Sequence, residues 1–140
     1  MPNTPNITDT TGGAADTPPL PLLIVDGANV VGSVPDGWWR DRRGAAERLR
    51  DRLVPFARSG VAGLPGPLEL VLVVEGAARG VASVPGVRVE EARGSGDDHI
   101  VALAAAAGDR PCLVVTADRE LRRRVQEHGA EVTGPRAVRD

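Results

Sequence analysis

Short apolar runs, separated by charged segments, divide the chain into alternating predicted strands and helices. A continuous apolar run at residues 22–25 and mainly apolar segments at residues 68–74 and 112–116 predict buried strands, because the strands of a parallel sheet are covered on each side. The alternating pattern at residues 87–90 predicts a shorter strand nearer an edge, and residues 130–133 predict a last strand.

Charged segments with periodic apolar positions predict the helices. Residues 41–58 repeat apolar side chains on one face, which predicts an amphipathic helix disturbed near Pro55. Ser95 is a typical N-cap for a helix over residues 97–108, and residues 119–128 predict a further helix. This alternation predicts a three-layer α/β domain, Rossmann-like, with a mostly parallel central sheet.

The first 19 residues differ in composition from the rest of the chain. They are rich in Pro, Thr, Asn, Gly and Asp, and Ile7 is the only large apolar residue after Met1. We therefore expect a disordered leader at residues 1–19 and one domain over residues 20–140. No run approaches the roughly 20 apolar residues of a membrane span, and no secretory signal pattern is present. A single cysteine favours a cytoplasmic location.

Missing residue types narrow the possible chemistry. All 17 basic residues are arginine, which excludes a Walker A loop and Schiff-base chemistry, since both need lysine. With no tyrosine, one cysteine and two histidines, a zinc cluster and a histidine-rich metal site are also excluded. The formal net charge of -2 gives no strongly basic coat for nucleic acid. Carboxylates remain as the main candidates for catalysis.

Aspartates stand at the ends of predicted elements that share one side of the sheet. Asp26 ends the first strand, Asp118 follows the fourth, and Asp97 and Asp98 open a helix. Because the carboxyl ends of parallel strands meet at one edge, we expect these side chains to lie close together. Crowded carboxylates repel each other unless a cation neutralises them, and Mg²⁺ and Mn²⁺ prefer oxygen ligands. The pattern predicts a Mg²⁺ or Mn²⁺ site.

Each of these acids also has an ordinary structural interpretation. Asp26 precedes a glycine and fits a turn, while Asp97 and Asp98 suit the positive end of a helix. Asp118 is a favoured N-cap type. Glu75 ends the second strand, where it could either line the rim or join the ligands. The shared-site hypothesis is favoured because capping does not require all these positions to meet at one edge.

Three motifs together resemble a known family. VDGANVVG at residues 25–32, GSGDDHI at residues 94–100 and VVTADREL at residues 114–121 are similar to motifs of the YacP-like NYN domains. These domains are a bacterial branch of the PIN-like nuclease superfamily, and the resemblance spans about residues 20–135. It implies a PIN-like α/β sheet and metal-dependent RNA cleavage.

The resemblance also implies roles for individual residues. It implies that the metal ligands are Asp26, Asp97, Asp98 and Asp118, and that Asn29 is a supporting polar residue of the same catalytic site. Related sequences often end the second strand in Asp, where this chain has Glu75.

Several side chains near the predicted edge are candidates for RNA contacts. The arginines expected to hold the phosphate backbone are Arg42, Arg43, Arg79, Arg93 and Arg119. Trp38 and Trp39 fit either stacking on an unpaired base or packing of the first helix onto the domain.

Three functions remain open from the sequence. The leading hypothesis is a metal-dependent endoribonuclease that hydrolyses RNA phosphodiester bonds. The alternative is a non-catalytic RNA-binding module of the same fold, with a partner such as a ribosome supplying affinity that a nearly neutral chain lacks. A phosphohydrolase acting on small phosphates is the third, although Ala28 stands where an aspartyl-phosphate mechanism would place a second Asp.

Overall fold

A five-stranded parallel sheet forms the centre of the computed structural model, which describes residues 19–139. The strands are β1 (Leu22–Asp26), β2 (Glu69–Val74), β3 (Arg88–Glu91), β4 (Cys112–Val115) and β5 (Glu131–Thr133). Their order is β3-β2-β1-β4-β5, and every neighbouring pair is parallel. The predicted α/β class with a mostly parallel sheet is confirmed. The predicted leader lies outside the described residues except for Pro19.

Helices connect the strands in the described part of the chain. They are α1 (Gly27–Gly32), α2 (Arg42–Ser59), α3 (Gly96–Ala106), α4 (Arg119–Gln126) and α5 (Arg136–Arg139). Short 3₁₀ turns cover Trp38–Arg40 and Gly76–Ala78, and Gly60–Val61 pairs antiparallel with Leu64–Pro65. Within residues 19–139, none of the helices is both long and apolar enough to cross a membrane.

The predicted helices are found with small changes in their ends. Helix α2 continues through Pro55 as far as Ser59, whose hydroxyl donates a hydrogen bond to the Pro55 carbonyl (3.0 Å), so the expected disturbance does not end the helix. Ser95 caps α3 as predicted and accepts a hydrogen bond from the Asp98 N–H (3.3 Å).

Two apolar layers cover the two faces of the sheet. Leu23 and Val25 of β1 belong to the layer that contains Leu49 and Leu53 of α2. On the opposite face, Leu22 and Ile24 of β1 pack with buried residues of α3 and α4, namely Ile100, Leu121 and Val125. This arrangement gives the three-layer structure that the alternating elements predict.

The strand order creates a switch point at β1. The chain builds β2 and β3 on one side of β1 and then crosses to place β4 and β5 on the other. Val25 pairs with Val115, so Asp26 and Thr116 are the next residues at the carboxyl ends of two neighbouring strands. Ligands of open α/β sheets bind at this kind of position.

Gly27 allows α1 to begin directly against β2. A Cβ atom on Gly27 would lie 2.6 Å from the Val73 carbonyl oxygen. Relief of this clash would require a shift of the backbone of β2, because the contacted atom belongs to the backbone. We expect Gly27→Ala to destabilise the protein by about 1–3 kcal/mol, as overpacking does, measured by urea unfolding. Gly32→Ala is the control in the same helix, because its Cβ would make only an ordinary 3.6 Å contact with Trp38. Equal stability of the two variants would contradict this prediction.

Candidate active site

Asp26 lies at the carboxyl end of the central strand and is only 5% exposed. Its Oδ2 accepts a hydrogen bond from the Thr116 hydroxyl (2.9 Å), and its Oδ1 accepts one from the Asn29 backbone N–H (3.4 Å). The second contact caps α1, so Asp26 has a structural role in addition to any chemical one. The two contacts fix the carboxylate at the edge of the sheet.

The environment of Asp26 disfavours its charged form. Burial raises the pKa of Asp26 to about 6 from its ordinary value near 3.8. The negative charges of Asp97 and Glu75 raise that pKa further, while the hydrogen bonds from Thr116 and Asn29 lower it. Asp26 is therefore ionised at neutral pH at a cost in free energy, which a nearby cation would reduce.

Thr116 joins Asp26 to the loop that follows β4. Its buried hydroxyl donates to Asp26 and accepts from the Asp118 backbone N–H (3.1 Å). The Arg122 Nε–H donates to the Thr116 carbonyl (2.7 Å). The Asp118 Oδ1 in turn accepts from the Leu121 N–H (3.0 Å), which caps α4. One chain of hydrogen bonds thus positions both aspartates.

Asn29 ties α1 to the same loop. Its side-chain Oδ1 accepts a hydrogen bond from the Ala117 backbone N–H (2.9 Å). The contact holds the loop between Thr116 and Asp118 against the helix that Asp26 caps. Asn29 therefore lies beside Asp26 and the loop that leads to Asp118, and its role in a catalytic site stays a prediction.

Asp97 and Glu75 approach Asp26 from the start of α3 and the end of β2. The Glu75 Oε2 accepts a hydrogen bond from the Gly96 N–H (2.9 Å), and a Cβ on Gly96 would collide with that oxygen. Burial raises the pKa of Asp97, and the charges of Asp118 and Glu75 raise it further. We call the four coupled side chains Asp26, Glu75, Asp97 and Asp118 the acidic cluster.

Asp98 lies at the margin of the acidic cluster. Its Oδ1 forms an ion pair with the Arg124 Nη2 (2.9 Å), and its side chain is 73% exposed. The pair links α3 to α4. A role for Asp98 as a metal ligand stays a prediction, and it would compete with this ion pair.

The acidic cluster is coupled through charge without being gathered around one point. Among residues 19–139, no three His, Cys, Asp or Glu side chains lie close enough together to hold a metal ion. Mg²⁺ usually takes only one or two carboxylates directly and keeps several waters, so a third preformed ligand is not required. The donors are all carboxylate oxygens, which fit Mg²⁺ or Mn²⁺ and do not fit a thiolate-binding metal.

The arginines predicted to contact phosphate are all exposed. They are Arg42 and Arg43 in the first turn of α2, Arg79 after the second 3₁₀ turn, Arg93 before α3 and Arg119 at the start of α4. The Arg43 Nε pairs with Glu47 (3.6 Å), and the Arg42 Cζ lies 5.3 Å from the centre of the Trp38 ring. An RNA contact at each position stays a prediction.

Sequence reasoning missed two residues of the site. The first is Thr116, whose only signal in the sequence is a hydroxyl residue at the end of an apolar segment, two positions before Asp118. Arg122 stands in a run of three arginines, and nothing in the sequence separates it from Arg123, which pairs with Glu120 and Glu127 on the helix surface.

The fold is an α/β domain with a parallel five-stranded sheet, and acidic side chains lie at the carboxyl edge of that sheet. Among solved structures, the crystal structure of Rae1 (YacP) from Bacillus subtilis, a W164L mutant, is similar, with a TM-score of 0.65. The two chains are 18% identical, and the match covers 85% of this chain and 72% of that one. This likeness confirms the fold that the motifs imply. No protein-family profile and no curated protein matches this chain.

Proposed function

We propose that this chain is a metal-dependent ribonuclease in which Asp26, Asp97 and Asp118 bind Mg²⁺ or Mn²⁺, with one or two of these carboxylates as direct ligands and the rest acting through bound water. The observation that carries the proposal is the enclosure of Asp26 at the carboxyl edge of β1, with the charges of Asp97 and Glu75 acting on it. A buried carboxylate next to like charges costs free energy that a turn or a helix cap does not require. A cation bound at this edge would remove that cost.

The side chains of this edge have distinct tasks in the proposed reaction. A bound Mg²⁺ or Mn²⁺ would polarise the RNA phosphodiester and lower the pKa of a water molecule. Asp26 supplies a carboxylate fixed by Thr116, whereas Asp97 and Asp118 are half-buried at the ends of neighbouring elements. Exposed arginines around the edge attract the RNA backbone.

Cleavage of unstructured RNA by the purified protein tests this proposal. We expect products in Mg²⁺ or Mn²⁺ and none in EDTA. Asp97→Asn should lower the cleavage rate by more than about 100-fold. Loss of a residue that binds the metal costs more activity than loss of a residue that only hydrogen-bonds to a metal ligand, which costs about 10- to 100-fold. Asp51→Asn is the matched control, since the Asp51 carboxylate pairs with Arg50 on α2 (2.9 Å). Cleavage that persists in EDTA, or full activity of Asp97→Asn, would contradict the proposal.

A second candidate is an RNA-binding module of this fold without cleavage. This candidate is favoured because no three acidic, histidine or cysteine side chains among residues 19–139 lie close enough together to hold a metal ion. Such a module would retain RNA without product at any Mg²⁺ or Mn²⁺ concentration, and Asp97→Asn would not change the retention. A partner such as a ribosome would then supply affinity that a net charge of -2 does not provide.

A further inference from the structure

A cleft of about 160 Å³ lies beside the acidic cluster. Its walls are mostly apolar and come from α1, α2 and the end of β2, with Trp38, Arg42 and Glu75 as its larger aromatic and charged members. Glu75 belongs to both the cleft and the acidic cluster, and Gly27 in the wall directly follows Asp26. A molecule with a phosphate at the acidic cluster can therefore extend into the cleft.

The aromatic and cationic members of the cleft suit a flat, polar-edged ring. Trp38 is half-buried and is held next to Gly32, where a Cβ would lie 3.6 Å from the Trp38 Cζ2. The Arg42 Cζ lies 5.3 Å from the centre of the Trp38 ring. Unpaired nucleobases stack on tryptophan rings and on arginine guanidinium planes.

Glu75 adds a hydrogen-bond acceptor to the same cleft. Its Oε2 accepts from the Gly96 N–H, and a carboxylate has two oxygens with several acceptor sites. A carboxylate accepts hydrogen bonds from the exocyclic amino groups of bases. The cleft thus combines apolar walls, a stacking surface and an acceptor, next to the edge where a phosphate is expected.

We propose that this cleft binds one unpaired nucleobase of the RNA, adjacent to the phosphate at the acidic cluster. The inference rests on the proposed function, because it takes RNA as the substrate. A base enters only when it is free of a pairing partner, so the cleft selects single-stranded RNA over duplex RNA. Trp39 is 52% exposed and does not line the cleft, which makes it the neighbouring control.

Mononucleotide binding tests the cleft without any cleavage step. Trp38 and Trp39 are the two tryptophans and the chain has no tyrosine, so Trp39→Phe leaves Trp38 as the reporter of ultraviolet fluorescence. We expect saturable quenching of Trp39→Phe by adenosine or cytidine 5′-monophosphate in Mg²⁺, and none by ribose 5-phosphate. The same titration of Trp38→Leu corrects for nucleotide absorbance and should show no saturable change. Equal quenching in both variants, or none in either, would overturn the inference.

RNA kinetics give a second readout. Trp38→Leu should raise the KM for single-stranded RNA by about 5- to 150-fold, the range expected for loss of one stacked base, and Trp39→Leu should leave it unchanged. Ala78→Leu narrows the cleft from another wall, keeps Trp38 and should raise the KM in the same direction. Unchanged KM values for Trp38→Leu and Ala78→Leu, with normal cleavage, would overturn the cleft and leave the nuclease proposal standing. Nucleotide quenching without RNA cleavage would support the cleft and contradict the nuclease proposal.

Discussion

Asp26→Asn is expected to make the protein more stable at pH 8 while it removes RNA cleavage. Burial raises the pKa of Asp26 from about 3.8 to about 6. Between these pH values the folded state binds more protons than the unfolded state, so stability falls as pH rises through this window and stays low above pH 6. Asn is uncharged at every pH. The variant should gain about 1–3 kcal/mol in unfolding free energy at pH 8, where Asp26 of the wild type is fully ionised and its buried charge is most costly. The gain should be much smaller at pH 4.

Urea unfolding in EDTA at the two pH values measures this effect, with Asp51→Asn as the surface control. The Asp51 carboxylate is exposed and paired with Arg50, so its loss should change stability by less than about 0.5 kcal/mol. An Asp26→Asn protein that is less stable than the wild type at pH 8 would mean that the buried charge is already compensated within the fold.

Added Mg²⁺ separates the electrostatic cost from the metal. A ligand that binds only the folded state stabilises it, so Mg²⁺ should raise the unfolding midpoint of the wild-type protein at pH 8. It should not raise that of Asp26→Asn, because the fixed carboxylate of the proposed site is gone. Equal Mg²⁺ responses in the two proteins would place any bound ion elsewhere.

The strands could be predicted because burial on both faces leaves mainly apolar segments, and β1, β2 and β4 are found within one residue of the predicted bounds at each end. Helix α1 could not be predicted in the same way. It is six residues long, with Gly27 and Gly32 at its ends and Val30 and Val31 inside, all poor helix formers. It forms because Asp26 caps it and Val30 is buried in the core, which is tertiary information.

The candidate site was predictable to the extent that element ends fix positions. Asp26, Asp97 and Asp118 could be placed at one edge because parallel topology brings those ends together. The directions of the side chains depend on packing that the sequence pattern does not encode. The Asp98 pair with Arg124 on another helix and the Glu75 contact with the Gly96 N–H are both of this kind.

Thr116→Val is expected to damage both the fold and the proposed reaction. Valine removes the hydroxyl that donates to the buried Asp26 carboxylate and accepts from the Asp118 N–H. The pKa of Asp26 should rise further, because the Thr116 hydrogen bond lowers it. We expect a loss of about 2–3 kcal/mol in unfolding free energy at pH 8, since a buried charged group loses a donor. Cleavage should fall by about 10- to 100-fold, as for other residues that orient a metal ligand.

Two further variants separate the role of the hydroxyl from that of the side-chain shape. Thr116→Ser keeps the donor and acceptor and should retain most of the stability and cleavage that Thr116→Val loses. In an Asp26→Asn background, Thr116→Val should cost at least about 1 kcal/mol less than in the wild type, because the charge that it leaves unpaired is absent. Additive effects of Asp26→Asn and Thr116→Val would show that Thr116 acts through packing alone. A coupling of the expected sign would instead show that its hydroxyl stabilises the ionised Asp26 carboxylate in the folded protein.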